Sequence, residues 1–177
     1  MRLSAVAALA AVLSFGAPAA AAPPPAPFAS IDGGMLSMAD YAGRPVLLVN
    51  TASLCGYTPQ YDALQALWDT YRDKGLVVLA VPSNDFRQEL ASADVVREFC
   101  AVNFDLTLPM TDITPVRGPQ AHPVYAWVLA EAGWEPRWNF NKVLIDRKGR
   151  VAGTWGSGTD PMGRTIRRAV EAALAGG

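Results

Sequence analysis

The sequence predicts an α/β domain: a mixed central sheet flanked by helices, with a β-hairpin at the N-terminal end. Three observations carry this expectation. Residues 46–49 and 76–81 are short apolar runs of the length expected for buried central strands. Stretches with apolar residues three or four apart follow them, which is helical spacing. A strand–turn–strand pattern then precedes a last amphipathic helix. With 177 residues, the chain is long enough for one domain with a sizeable core.

Each element has its own signal. Residues 28–37 hold Gly33-Gly34 at their centre, which marks a hairpin turn. After the 46–49 run comes Cys55-Gly56-Tyr57-Thr58-Pro59, then Leu64, Leu67, Trp68 and Tyr71 at helical spacing. Thr58 and Pro59 are expected as N-cap and first-turn residues of that helix, and Gly75 as its stop. The 76–81 run ends at Pro82. Ser92 or Asp94 is expected to cap a helix reaching about residue 101 through Val95, Val96 and Phe99. His122-Pro123 opens another helix, and the lone histidine reads as a structural or capping residue. Residues 143–145 and 151–155 flank the turn Asp146-Arg147-Lys148-Gly149, a hairpin expected to add antiparallel edge strands. From residue 160 to 175, Met162, Ile166, Val170 and Leu174 recur every four residues. The resulting order is hairpin, β, α, β, α, α, β, β, α. That is the order of a thioredoxin-like fold with one helix added before the closing hairpin.

The front of the chain has a different character. Met1-Arg2 precedes residues 3–22, which carry no charge and end in Ala20-Ala21-Ala22. A basic start, an apolar run and small residues describe a signal peptide, cleaved after about Ala22. The competing reading is a retained membrane anchor, since the run is long enough to span a bilayer. Cleavage is the preferred reading and places the protein in the periplasm or outside the cell. Residues 23–27 (Pro-Pro-Pro-Ala-Pro) read as an extended spacer, leaving residues 28–177 as the domain. Loss of Arg2 with the leader leaves 14 basic and 16 acidic residues, a net charge of −2. No basic stripe with interleaved aromatics is present, so nucleic acid is not an expected partner.

The two cysteines, Cys55 and Cys100, lie far apart, and no CxxC occurs. One histidine does not complete a Cys/His zinc site. In an exported protein the plain reading of two cysteines is a structural disulfide. Cys55, however, falls between a buried strand and a helix start. Backbone N–H groups and the helix dipole at such a place favour a thiolate, the form that attacks an O–O bond.

The segment Asn50-Thr51-Ala52-Ser53-Leu54-Cys55-Gly56-Tyr57-Thr58-Pro59-Gln60-Tyr61 closely resembles the active-site segment of glutathione peroxidases. Trp138-Asn139-Phe140-Asn141-Lys142, continuing into Val143-Leu144-Ile145-Asp146, is similar to that family's second signature. Val81-Pro82-Ser83-Asn84-Asp85-Phe86 is similar to a third, and Ala121-His122-Pro123 fits a further shared segment. The resemblance runs in order from about Phe28 to the C-terminus. It implies a peroxidase acting on hydrogen peroxide or organic hydroperoxides, with Cys55 as the peroxidatic nucleophile and no metal or organic cofactor. It also implies that the Trp138 indole N–H and the Asn139 amide face the sulfur, where neutral donors stabilise a thiolate.

The resemblance breaks at Asp85, which stands where the family has a glutamine, and the following loop is one residue shorter. An ionised carboxylate only accepts hydrogen bonds, and beside the sulfur it disfavours the thiolate. Three arrangements remain open: Asp85 protonated, Asp85 turned away with a neighbour in its place, or a weakened peroxidase. Cys100 resembles the resolving cysteine of the thioredoxin-dependent branch, and the alternative is a buried inert thiol. Resolution implies a Cys55–Cys100 disulfide, with local unwinding around Cys100 to bring the two together. Such a disulfide suits a thioredoxin-like dithiol reductant, with glutathione second. The short segment between Trp127 and Trp138 lacks the insertion of tetrameric relatives and implies a monomer. Two rival functions stay in view, a peroxide-sensing thiol–disulfide relay and a non-enzymatic domain with a decayed site.

Overall fold

A computed structural model of the chain describes residues 22–176; the expected leader, apart from Ala22, lies outside them. Two short strands, β1 (Phe28–Ala29) and β2 (Met35–Leu36), pair antiparallel around a turn in which Gly33 and Gly34 take φ of +91° and +77°. Only glycine adopts two such angles in succession without steric cost. The central sheet has the order β4-β3-β5-β6, from strands β3 (Val46–Thr51), β4 (Val77–Pro82), β5 (Asn141–Ile145) and β6 (Val151–Trp155). Strands β3 and β4 are parallel, while β5 runs antiparallel to both β3 and β6.

One expectation about the sheet is corrected. The closing hairpin does not supply edge strands alone: β5 lies inside the sheet, and the edges are β4 and β6. Every residue of β5 is buried, as an interior strand covered on both faces requires, whereas β6 is only partly covered.

The period of two in the strands divides the core into two layers. Leu47, Val49, Val78, Ala80 and Leu144 point to one face. There they meet α1 (Gln60–Tyr71), α2 (Ala93–Phe104) and α4 (Arg164–Ala175) through Leu64, Leu67, Val96, Ile166 and Val170. Val46, Leu48, Val77, Leu79, Val143 and Ile145 point to the other. That face is closed by α3 (Pro123–Ala132) and by Phe28 of the hairpin. Helix α4 begins at Arg164, later than its spacing implies. Residues 160–163 fold first into a turn held by Asp160, whose carbonyl accepts the Gly163 N–H at 2.9 Å.

His122 is the N-cap of α3. Its Nδ1 accepts the Val124 N–H at 3.3 Å, its ring stacks on Phe28 at 3.7 Å between centroids, and Nε2 meets the Pro27 carbonyl at 3.2 Å. Burial lowers its pKa, which agrees with a neutral ring accepting at one nitrogen and donating at the other. Residues 23–27 carry no helix or strand but lie along the body. The Pro25 carbonyl accepts from Ser37 Oγ at 3.4 Å, and a Cβ on Gly149 would come within 2.9 Å of Pro23 Cδ.

Candidate active site

Topology brings three chain segments to one end of the sheet. β3 and β4 are parallel, so their C-terminal ends lie side by side, with Thr51 opposite Pro82. β5 is antiparallel to β3, so its first residue, Asn141, lies opposite Asn50. The Cys55 loop, the 83–90 loop and the 138–140 turn therefore meet there.

The Cys55 loop is held from within. Thr58 Oγ1 accepts the Cys55 N–H at 3.1 Å and lies 2.9 Å from the Ala52 carbonyl and 2.7 Å from the Cys55 carbonyl, both acceptors for its proton. This differs from the expected helix cap. The Thr58 side chain is committed to the loop, α1 starts at Gln60, and its N-cap position, Pro59, makes no side-chain bond. The sulfur thus sits in a sequence of turns ahead of the helix. The Tyr57 N–H donates to Cys55 Sγ at 3.5 Å. Cys55 is 8% exposed, between Leu54 at 61% and, two residues on, Tyr57 at 39%.

A buried polar network fixes the other side. Asn50, fully buried, donates from Nδ2 to the Trp138 carbonyl at 2.9 Å, and its Oδ1 accepts the Asn141 N–H at 3.2 Å. Its own carbonyl accepts the Phe140 N–H. These bonds hold Phe140 at φ +57°, a left-handed conformation that is unfavourable for a bulky residue, while its ring packs edge-on against Tyr61 at 5.3 Å. Ser157 Oγ donates to the Asn139 carbonyl at 2.6 Å and accepts from Asn141 Nδ2 at 2.8 Å. Lys142, also fully buried, donates to the Thr159 carbonyl at 2.8 Å, the Ser157 carbonyl at 3.2 Å and Gln60 Oε1 at 2.5 Å. Burial pushes its pKa down to about 8.

The structure brings together some of the expected residues and separates others. Asn139 is fully buried at the junction, but its Nδ2 donates to Gln88 Oε1 at 2.9 Å rather than to the sulfur. Trp138 is 42% exposed and tilts against Phe86 at 5.4 Å between centroids; its indole makes no hydrogen bond to Cys55 among the described residues. Asp85 is turned the other way. Its Oδ2 accepts the backbone N–H groups of Val116 at 2.7 Å and Arg117 at 3.2 Å. Cys55 and Cys100 are both buried free thiols in the same core layer. Cys100 lies within α2, where burial pushes its pKa up to about 11.

Gln88 and Glu89 went unassigned in the sequence reading. The Gln88 carbonyl accepts the Leu54 N–H at 2.9 Å, so this residue touches both the Cys55 loop and Asn139. Glu89 Oε1 accepts the N–H groups of Ser53 at 3.0 Å and Leu90 at 2.8 Å, and burial raises its pKa. The pair was visible in the sequence as a polar Gln-Glu after a one-residue shortening. Only the fold shows that it reaches the loop.

Comparison with known proteins bears directly on this arrangement. Residues 27–129 match the family model described as glutathione peroxidase. The chain is 40% identical over 136 residues to a protein of Lactococcus lactis subsp. cremoris named glutathione peroxidase, covering 74% of this chain and 87% of that one. It is 38% identical over 143 residues to a Synechocystis protein named hydroperoxy fatty acid reductase, covering 75% and 85%. Among solved structures, a thioredoxin-family thiol:disulfide interchange protein from Chlorobium tepidum superposes with a TM-score of 0.62 at 18% identity, covering 88% of this chain and 99% of that one. This last likeness concerns the fold alone.

Proposed function

The chain belongs to the glutathione peroxidase family and is a thiol peroxidase that reduces hydroperoxides, and we propose that Cys55 is its nucleophile. The observation that carries this reading is the position of Cys55: past the end of the parallel strands, with its sulfur beside a backbone N–H and a buried polar network at the same end of the sheet. The Cys55 thiolate attacks one peroxide oxygen, the O–O bond breaks, and the other oxygen leaves with a proton as water or alcohol. Cys55 is left as a sulfenic acid. Donors at this end of the sheet serve the charge that develops on the leaving oxygen.

Regeneration runs through Cys100. Its sulfur displaces the sulfenic hydroxyl, which leaves as water, and a Cys55–Cys100 disulfide forms. A thiol whose pKa lies near 11 inside a helix is a poor nucleophile where it stands, which supports opening of α2 around Cys100 during turnover. The electron donor is a thiol reductant; an internal disulfide favours a thioredoxin-like dithiol protein over glutathione. The same reading takes the protein to be a monomer exported by its cleaved N-terminal leader to the periplasm or outside the cell. Intact-mass measurement after one equivalent of peroxide tests the scheme. Loss of two hydrogens supports it, a stable added oxygen refutes the role of Cys100, and no change refutes that of Cys55.

A further inference from the structure

Two residues of the 83–90 loop, Asp85 and Gln88, send their side chains to different partners. Asp85 directs its carboxylate to the backbone N–H groups of Val116 and Arg117. That arrangement ties the carboxylate to the 116–117 segment. Arg87 then takes φ +57°, a left-handed conformation that turns the chain sharply. The turn closes with the Arg87 N–H on the Asn84 carbonyl at 2.9 Å, and the next residue, Gln88, meets the Cys55 loop and Asn139.

Gln88 makes two contacts there. Its backbone carbonyl accepts the N–H of Leu54, the residue immediately before Cys55, at 2.9 Å. Its side-chain Oε1 accepts from Asn139 Nδ2 at 2.9 Å. No other side chain described here hydrogen-bonds the Asn139 amide, whose Oδ1 is buried without a partner. The orientation of that amide therefore rests on Gln88. A side chain that is itself neutral does this without adding charge beside the thiol.

We infer that Gln88 is a positioning residue for the peroxidatic site: it anchors the Asn139 amide to the Cys55 loop, while the Asp85 carboxylate is engaged at residues 116 and 117. Gln88 acts through Asn139, fixing which way the amide faces. The inference rests on Cys55 being the nucleophile, and its test separates the two.

The experiment uses the full chain with Gln88→Ala, Gln88→Met, Asp85→Asn and Asn139→Ala. Two quantities are read: the rate constant of the tryptophan fluorescence change on adding hydrogen peroxide, and the pH profile of Cys55 alkylation by iodoacetamide in a Cys100→Ser background. Gln88→Ala is expected to slow oxidation about tenfold, the scale of a displaced catalytic group, and to move the alkylation profile to higher pH. Combined with Asn139→Ala it adds little further, because the two residues act as one unit. Asp85→Asn has a smaller effect than Gln88→Ala on both quantities. Gln88→Met keeps the length of the side chain and removes the acceptor, so it decides the matter if the alanine variant does not fold. A methionine variant matching wild type in both rate and profile overturns the inference, as does full additivity with Asn139→Ala, or a larger effect at Asp85. If wild type itself shows no Cys55-dependent reaction with peroxide, the peroxidase reading fails. The alkylation profile then still reports on Gln88 alone.

Discussion

Cys55 and Cys100 share one core layer, yet their surroundings differ. Cys55 lies in a loop, where its sulfur meets a backbone N–H and its neighbours Leu54 and Tyr57 reach solvent. Cys100 lies on the buried side of α2, near Tyr61 and Glu89, and burial holds its proton up to a pKa of about 11. Loop backbone has spare donors to offer a sulfur; helix interior has none, because each N–H is already bonded four residues back. On the proposed scheme, the first setting suits attack on a peroxide and the second holds a thiol in reserve.

The sharpest way to break this contrast is to remove Cys55. Cys55→Ser is expected to lower peroxide consumption by roughly a thousandfold or more, to background, because an alcohol lacks the ionisation that the step requires. Peroxide consumption followed in the presence of a dithiol protein measures it. Residual turnover carried by Cys100 would mean that the two settings are not chemically distinct.

Cys100→Ser has a smaller and differently shaped effect. The first oxidation of Cys55 should keep its wild-type rate, since Cys100 makes no hydrogen bond to the Cys55 loop. Turnover with a dithiol reductant should fall by about tenfold, and one added oxygen should persist in the intact mass. In the native wild-type protein at pH 8, iodoacetamide should label Cys55 well before Cys100. Equal labelling rates would show that α2 does not shelter its thiol.

Lys142 connects the contrast to stability. Its ammonium is buried against Gln60, Ser157 and Thr159, at the junction of β5, α1 and the 156–160 loop. Burial lowers its pKa to about 8 from an unfolded value near 10.5, so the unfolded chain binds more protons between those values. Stability from this group therefore rises as pH increases from about 8 towards 10.5. Cys100 acts with the opposite sign: its pKa is raised from 9 to about 11, so its contribution is full below pH 9 and is lost as pH rises towards 11. Urea denaturation at pH 7 to 10 is the measurement. Lys142→Met should cost about 1–3 kcal/mol at pH 7, from acceptors left unbonded, and should remove the rising contribution. A wild-type pH slope retained in Lys142→Met would exclude Lys142 as its source.

Much of this arrangement was legible in the sequence, for definite reasons. Apolar runs gave β3 and β4, four-residue spacing gave α4, and paired glycines gave the first turn, because each is a local pattern that local geometry obeys. Motif context singled out the segments of Cys55, Trp138 and Asn139, and the fold places those segments at one end of the sheet, with the Asn139 amide on Gln88 and the Trp138 ring against Phe86. What escaped depends on distant partners. β5 lies inside the sheet because Asn50 pairs with Asn141 across 91 residues. Asp85 turns away because free N–H groups wait 31 and 32 residues along the chain. Gln88 counts because Asn139 reaches it from 51 residues away. Even a nearby misjudgement has this form. Thr58 has the chemistry of a helix cap, but the Cys55 N–H competes for its hydroxyl oxygen while the Ala52 carbonyl accepts its proton.

That competition yields the smallest and most selective prediction. Thr58 Oγ1 accepts the Cys55 N–H and donates within the same loop, so it fixes the backbone that carries the sulfur. Thr58→Val keeps the branched shape and volume while removing the hydroxyl, leaving the Cys55 N–H buried and unbonded at a cost of about 1 kcal/mol. The loop then loses its internal brace, and the Tyr57 N–H drifts from the sulfur. Oxidation of Cys55 should slow about threefold, while the alkylation rate of Cys100 stays at its wild-type value. Stopped-flow fluorescence and thiol labelling on one preparation give both numbers. If both cysteines respond equally, the loop and the helix are coupled as one unit. If only Cys55 responds, the two sulfurs are controlled separately, and the reactivity of each is set by the element that carries it.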